Sequence, residues 1–299
     1  MVNKVAVGDS VGIVGVGSMG LPIVKFLRDA GFDVICSDVS EANLRLAVER
    51  GGRAASALAD LSECRVVLVF VPNDDDVRSV AAEFALISSA EDPVFVIHTS
   101  AQSTTCRELY DQLKTSGIHV IDAALTGGVR GARDGTISLM VGGDSDVIDA
   151  VMPALEPWTS FVNRLGPIGA GQIGKTVNNM IHWGEIVTII EALSLGRELG
   201  VSPAVMREAL KVGTTDSRTL RELEDMNFTW YEKDTDNAVA MAADVGLELS
   251  FTEVVRRYMR EINVDNVAQL LEGRGIVKLT GDLLTPGEKP AAQSSSPNG

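Results

Sequence analysis

The chain has 299 residues, 45% of them hydrophobic, which is enough for a full core and about two domains. Its 41 acidic against 26 basic residues leave a net charge of -15, so neither nucleic acid nor an anionic membrane surface is an expected partner. Three widely spaced cysteines (Cys36, Cys64, Cys106) and three histidines without helical ligand spacing (His98, His119, His182) argue against structural disulfides and against a metal site. Met1 to Ser10 lacks the apolar core of a secretion signal, and no apolar run reaches the ~18 residues of a membrane span. A cytoplasmic location is therefore expected.

The first motif lies at Ser10–Gly20, a short apolar strand that runs into Gly15-Val16-Gly17-Ser18-Met19-Gly20. Helical spacing follows at Ile23, Val24, Phe26, Leu27 and Ala30, and Gly31 stops it. A second strand, Phe32 to Asp38, ends on an acid. The three glycines have separate tasks: a tight turn, close approach to a pyrophosphate, and close packing of helix on strand. A pyrophosphate would sit on the free N–H groups at the positive end of the helix. Asp38 is placed to accept from a ribose diol, and its charge disfavours a 2′-phosphate. Val39 and Ser40 supply no arginine for such a phosphate, although Arg45 on the next helix could reach back. NAD is favoured over NADP.

Strand and helix then alternate. Arg65–Val71 is a continuous apolar run, as in a parallel strand covered on both faces. Pro72–Asp76 reads as a turn and an acidic helix start. Val94–Ile97 is a further strand, ending in His98-Thr99-Ser100-Ala101. Ile118–Asp122 is the next, and 123–128 reads as its loop. A hairpin-like piece is expected over Gly135–Gly143, then a helix near Asp146–Leu155 and a last strand near Phe161–Leu165. The loops 72–76, 98–101 and 123–128 would converge beside the cofactor, where open α/β sheets bind ligands.

After Gly171 the pattern becomes helical. One helix reaches Leu199, about 44 Å at ~1.5 Å per residue, with Gly200 and Pro203 as its stop. Shorter helical segments are expected at Pro203–Val212, Asp216–Met226, Asp236–Val245, Ser250–Glu261 and Asn266–Leu271. The expected division is a nucleotide-binding domain over 1–166, a helical substrate and oligomerisation domain over 167–285, and a disordered tail over 286–299. The stretch Gly169-Ala170-Gly171-Gln172 suits a backbone passing close to a ligand. Lys175 and Asn179 are four apart, so they share a helix face and can meet one small molecule. His182 and Trp183 continue that stripe; Trp183 reads as core, while His182 is open between a satisfied helix residue and a substrate contact.

With these motifs in place, the chain resembles the β-hydroxyacid dehydrogenase family, the group of 3-hydroxyisobutyrate dehydrogenase and tartronate semialdehyde reductase. The likeness covers residues ~10 to ~280. It rests on Gly15–Gly20, Val71-Pro72, Asp122-Ala-Ala-Leu-Thr-Gly-Gly128, Met140–Gly143, Gly169–Asn179 and Lys233-Asp234. The resemblance implies an N-terminal Rossmann domain joined by a long helix to an all-helical C-terminal domain. It also implies NAD as cofactor, a small 3-hydroxy acid or related alcohol as substrate, and a homodimer or homotetramer formed through the helical domain. Residue by residue, Lys175 is implied as general acid/base and Asn179 as the residue that orients the substrate oxygen. Thr126, Gly127 and Gly128 would bind the substrate carboxylate, and Ser100 would lie on the nicotinamide-side loop. Gly15, Gly17, Ser18, Met19, Gly20, Asp38, Val71 and Pro72 would hold the cofactor, with Lys233 closing over its nicotinamide end. His182 is carried as a substrate contact. The chain departs from the family at His98 (usually aspartate), Ala101 (threonine), Thr104 (proline) and Thr126 (serine), and at His182 and Trp183, positions usually apolar or small. Two rivals share the architecture: an imine reductase, which usually lacks the lysine, and a non-catalytic NAD-binding sensor or scaffold. A decarboxylating phosphogluconate-type enzyme would need a larger helical domain and basic phosphate ligands.

Overall fold

The computed structural model describes residues 2–279. By contacts the chain divides into two compact units, the first ending at Asn179 and the second beginning at Met180. The division thus falls inside the long helix, not at its start. The tail expected over 286–299 lies outside the described residues.

The first unit alternates strand and helix. In order these are β1 (Ser10–Val14), α1 (Gly20–Asp29), β2 (Asp33–Ser37), α2 (Glu41–Glu49), β3 (Arg53–Ala54), β4 (Val66–Val69) and α3 (Asp74–Ile87). Next come β5 (Val94–Ile97), α4 (Ser103–Lys114), β6 (His119–Thr126), α5 (Gly128–Asp134), β7 (Ile137–Gly142), α6 (Ser145–Leu155) and β8 (Thr159–Gly166). One eight-stranded sheet has the order β3-β2-β1-β4-β5-β6-β7-β8. All neighbours are parallel except β6 and β7. The strand order reverses direction between β1 and β4, where doubly wound sheets open a crevice for ligands.

The apolar runs explain why β4 and β5 are central. Successive side chains of a strand point to opposite faces. Val66 and Leu68, with Val94 and Val96, join the core under α1 and α6; Val67 and Val69, with Phe95 and Ile97, join the core under α3 and α4. Every residue of both strands is buried. On the first face Ile23, Val24 and Leu27 of α1 are fully buried, each contributing about 1.5–3 kcal/mol of apolar transfer. Gly31, at φ +91°, ends that helix in a conformation an L side chain rarely adopts.

Two sequence expectations change in this unit. β6 continues to Thr126 because Ala123 and Ala124 are fully buried, so the loop expected at 123 begins only at Gly127, with φ +115°. The hairpin expected over Gly135–Gly143 is instead the single strand β7, which α5 connects back antiparallel to β6.

The second unit is helical. α7 (Ala170–Glu198) begins in the first unit and continues into it. It is followed by α8 (Pro203–Leu210), α9 (Arg218–Arg221), α10 (Tyr231–Asp244), α11 (Ser250–Met259) and α12 (Val264–Leu271). The helix expected over 216–226 breaks at Glu222 into α9 and a 3-10 turn, Leu223–Asp225; α10 starts five residues earlier than expected. Trp183, Ile186, Val187, Ile190 and Leu193 of α7 form one core with Leu223, Val255, Met259 and Leu270. No strand occurs among the described residues of this unit, and no described helix is long and apolar enough to cross a membrane.

Candidate active site and family

The glycine loop separates into two kinds of position. A Cβ on Gly15 would overlap the carbonyl oxygen of Phe70, and one on Gly20 would overlap that of Gly15, so both glycines are required by packing. A Cβ on Gly17 would meet nothing within 4 Å. The loop therefore opens at Gly17, at the N-terminus of α1, where Met19 provides no side-chain cap and the first turn holds no acid. A helix N-terminus with no acid in its first turn suits a pyrophosphate. Ser18 is exposed and Met19 half-buried beside it.

Asp38 lies at the end of β2. Its Oδ2 accepts from Val16 N (2.8 Å), and Oδ1 accepts from Ser40 N (2.8 Å) and the Asn43 side chain (3.3 Å). One carboxylate therefore ties the glycine loop to α2. A carboxylate has about four acceptor positions, so one remains for a hydroxyl donor. The glycines, the helix end and Asp38 fit the pyrophosphate and adenosine half of a dinucleotide.

At the end of β4, Val71 donates its N–H to Thr99 Oγ1 (3.1 Å), and that hydroxyl donates to Val71 O (2.9 Å). Pro72 is exposed. Beyond it Asp74 accepts from Gln102 N (2.9 Å) and Thr105 Oγ1 (2.5 Å), which ties this turn to α4.

The start of α7 is the most densely bonded part of the site. Asp122 of β6 is fully buried; its carboxylate accepts from Gly169 N (2.6 Å) and Gln172 N (2.8 Å), and so caps the helix. Burial pushes its pKa up to about 6, against the lowering effect of those backbone N–H groups. The Gln172 side chain, 1% exposed, accepts from Ala101 N (3.2 Å) and donates to Thr99 O (2.8 Å). Half-buried Ser100 lies between these two residues. Lys175 is half-buried one turn further along α7. Asn179 is 8% exposed, and its Oδ1 accepts from Asn178 Nδ2 (3.1 Å).

The glycines ahead of Lys175 face the sheet. A Cβ on Gly171 would overlap Met140 O and lie 2.7 Å from Asp122 Oδ2; one on Gly174 would overlap Leu165. The reading of 169–172 as backbone near a ligand is corrected: Gly171 and Gly174 let α7 lie directly on the sheet.

Half-buried Thr126 donates its hydroxyl to Ser138 O (3.2 Å) across to the neighbouring strand. Gly127 (φ +115°) and Gly128 (φ +62°) form the entry to α5 in left-handed conformations. His98, replacing the family's aspartate, is 2% exposed and stacks on Phe70 with ring centroids 4.5 Å apart. Trp158 meets it edge-on at 5.3 Å. Its Nδ1 is 2.7 Å from Ala123 O, which makes Nδ1 the protonated nitrogen, and burial lowers its pKa to about 4. It is a neutral packing residue.

His182 and Lys233 belong to the second unit. His182 Nδ1 pairs with Thr219 Oγ1 (3.0 Å). Trp183 is 3% exposed, in line with a core role, and donates to Asp234 Oδ2 (3.0 Å) from the residue after Lys233. The described residues hold no group of three His, Cys, Asp or Glu side chains able to bind a metal ion. Sequence reasoning missed the tasks of Asp122 and Gln172. Both stood inside motifs it used, and the signal available was an acid within an apolar strand, followed later by a Gly-x-Gly-Gln helix entry.

Comparison with known proteins agrees with the nucleotide-binding fold. Residues 10–184 match the model for the NAD-binding domain of 6-phosphogluconate dehydrogenase, and residues 169–270 match that described as NAD-binding of NADP-dependent 3-hydroxyisobutyrate dehydrogenase. A 3-hydroxyisobutyrate dehydrogenase of Pseudomonas aeruginosa is 32% identical over 204 residues, 67% of this chain and 68% of that protein. An uncharacterized oxidoreductase of Shewanella frigidimarina is 29% identical over 266 residues, 84% of this chain and 91% of that protein. In fold the chain is similar to the Mycobacterium tuberculosis 3-hydroxyisobutyrate dehydrogenase solved with L-serine. The TM-score is 0.77 at 22% identity, over 91% of this chain and 97% of that one. The chain belongs to the β-hydroxyacid dehydrogenase family and is an NAD(P)-dependent oxidoreductase.

Proposed function

We propose that this chain interconverts a small 3-hydroxy acid, or a related alcohol, with its carbonyl form, using NAD(H) in preference to NADP(H). The observation that carries the reading is Lys175 on the face of α7 shared with Asn179, in a helix whose first turn is bonded to the loop after β5 and to the middle of β6. The nicotinamide, when bound, accepts or supplies the hydride. Lys175 Nζ takes the hydroxyl proton in oxidation and returns it to the oxygen in reduction, while the Asn179 amide orients that oxygen. An ordinary lysine titrates near ~10.4, so work as a base at neutral pH calls for surroundings that favour the amine. The Thr126 hydroxyl and the Gly127 and Gly128 N–H groups are the proposed binders of the substrate carboxylate, and Ser100 is the proposed substrate contact from the nicotinamide-side loop. From its place on the helix stripe of Lys175, His182 is the proposed substrate contact; from the family pattern, Lys233 is the proposed nicotinamide-side cation. A cytoplasmic homodimer or homotetramer is part of the same reading.

The presence of Lys175 favours this reading over an imine reductase or a non-catalytic NAD sensor. The test is Lys175→Met, which keeps most of the stem and removes the titrating amine. With a panel of 3-hydroxy acids and semialdehydes, kcat is expected to fall ~10²–10⁴-fold while folding and NAD(H) affinity persist. A variant that keeps more than about a tenth of wild-type kcat removes lysine from the mechanism and reopens the rival readings.

A further inference from the structure

Gln172 is buried, and its side-chain amide is held at both ends, by its NH2 group and by its carbonyl oxygen. Nε2 meets the Thr99 carbonyl at 2.8 Å and Oε1 meets the Ala101 N–H at 3.2 Å. Exchanging the two ends of the amide would set donor against donor and acceptor against acceptor, so the side chain has one orientation. Its own N–H is bonded to Asp122 (2.8 Å), whose other oxygen holds Gly169 N. The Gln172 side chain therefore joins the loop after β5, where Ser100 sits, to α7; its backbone joins α7 to β6. Lys175 is three residues further on, about 4.5 Å along the axis at ~1.5 Å per residue, and on the same side of the helix. Gln172, Lys175, Thr176 and Asn179 make one stripe, with Gln172, Thr176 and Asn179 buried. Such a stripe has two soft freedoms, rotation about the helix axis and sliding along it. The paired bonds of one rigid amide oppose both.

From this we infer that Gln172, seated on Asp122, is the positioning residue that holds Lys175 in register with the Ser100 loop. The inference rests on the reading of Lys175 as general acid/base. Gln172 does not touch the reacting atoms. It acts through the lysine, because a displacement of about 1 Å at a reacting group can cost ~10²-fold in rate. Any loss should accordingly fall on kcat and spare the adenosine end of the cofactor site, which is built from β1, α1 and β2.

The test is a double-variant cycle with Gln172→Met and Lys175→Met, followed by steady-state kinetics and NAD(H) titration. Met keeps the length and apolar bulk of Gln and removes both bonds. Gln172→Met alone is expected to lower kcat about 10–100-fold with the NAD(H) Kd changed less than about threefold. In the Lys175→Met background the same change should lower kcat less than about twofold, because nothing remains to be positioned. An equal loss in both backgrounds overturns the inference and leaves a structural glutamine; Gln172→Met within twofold of wild type overturns it as well. A Lys175→Met protein with near-normal kcat fails the acid/base reading itself, which distinguishes the two failures. Should Gln172→Met not fold, Gln172→Glu supplies the measurement. Its protonated carboxyl has the required donor and acceptor, whereas its carboxylate sets an acceptor against Thr99 O. The ratio of its kcat to that of wild type should rise as pH falls from 8 to 5, and a flat ratio overturns the inference.

Discussion

Gly171→Ala is a sharp check on the packing of α7 against the sheet. In a solvent-exposed helix this change stabilises, by about 1 kcal/mol of propensity. Here the added Cβ would stand 2.7 Å from Asp122 Oδ2 and 3.0 Å from Asp122 O, and would overlap Met140 O. Ordinary contact lies near 3.4–4 Å. Two of the three obstructing atoms are backbone of β6 and β7, which are paired through Ala124↔Met140, so the helix has to retreat by roughly 1 Å. Overpacking of that kind costs about 1–3 kcal/mol. The retreat also stretches the bonds from Gly169 and Gln172 to the Asp122 carboxylate, which are worth about 1.5–3 kcal/mol each. With about a third of that bond energy lost on stretching and the propensity gain set against these costs, the net loss should be about 1–4 kcal/mol, a fall in Tm of roughly 2–16 °C. The assay is thermal unfolding by circular dichroism, with Gly17→Ala as comparison. Gly17 has open space at its Cβ position, so that variant should melt within about 2 °C of wild type while its NAD(H) affinity drops. A Gly171→Ala protein that melts at or above wild type would refute the close-approach argument and reinstate a ligand-facing role for this glycine.

Asp38→Ala should weaken NAD(H) and narrow or invert the preference over NADP(H), read as kcat/KM for the two cofactors; a wild-type preference for NADP(H) would show the cofactor assignment to be wrong. Asp122→Asn tests the buried cap through pH. Because burial raises the folded carboxyl to about 6 from 3.8, its stabilisation is complete below the unfolded value and is lost as pH rises through the folded one. Urea unfolding should therefore show wild type losing about 2 kcal/mol relative to Asp122→Asn between pH 4.5 and 7.5, and a constant difference would contradict it. His182→Leu should reorder substrates while leaving NAD(H) affinity unchanged; an equal loss across the substrate panel would assign the ring a structural role instead.

Much of the nucleotide-binding half was legible in the residues themselves. Turn chemistry and strand periodicity act over a few positions, so Gly15-x-Gly17-x-x-Gly20, the acid ending β2 and the apolar runs of β4 and β5 could be read locally. The spacing of Lys175 and Asn179 on one helix face was equally local, and α7 ends one residue short of its expected stop. Helix boundaries were weaker wherever a single residue breaks the pattern, as Glu222 does between α9 and the turn that follows.

What tertiary structure alone decided are the relations between distant positions. Asp122 caps a helix whose bonded amides lie 47 and 50 residues away, and Gln172 grips a loop 71 and 73 residues before it. No local periodicity encodes such pairs. They arise because the sheet brings the loop after β5, the middle of β6 and the end of β7 to the start of α7. The same assembly turned Gly171 and Gly174 toward the strands, carried β6 through Ala123 and Ala124, and enclosed His98 between Phe70 and Trp158. The sequence by itself determined which groups are present and on which element each is carried. The packing of the sheet decided which of them meet, because burial and hydrogen-bond geometry are properties of neighbours in space.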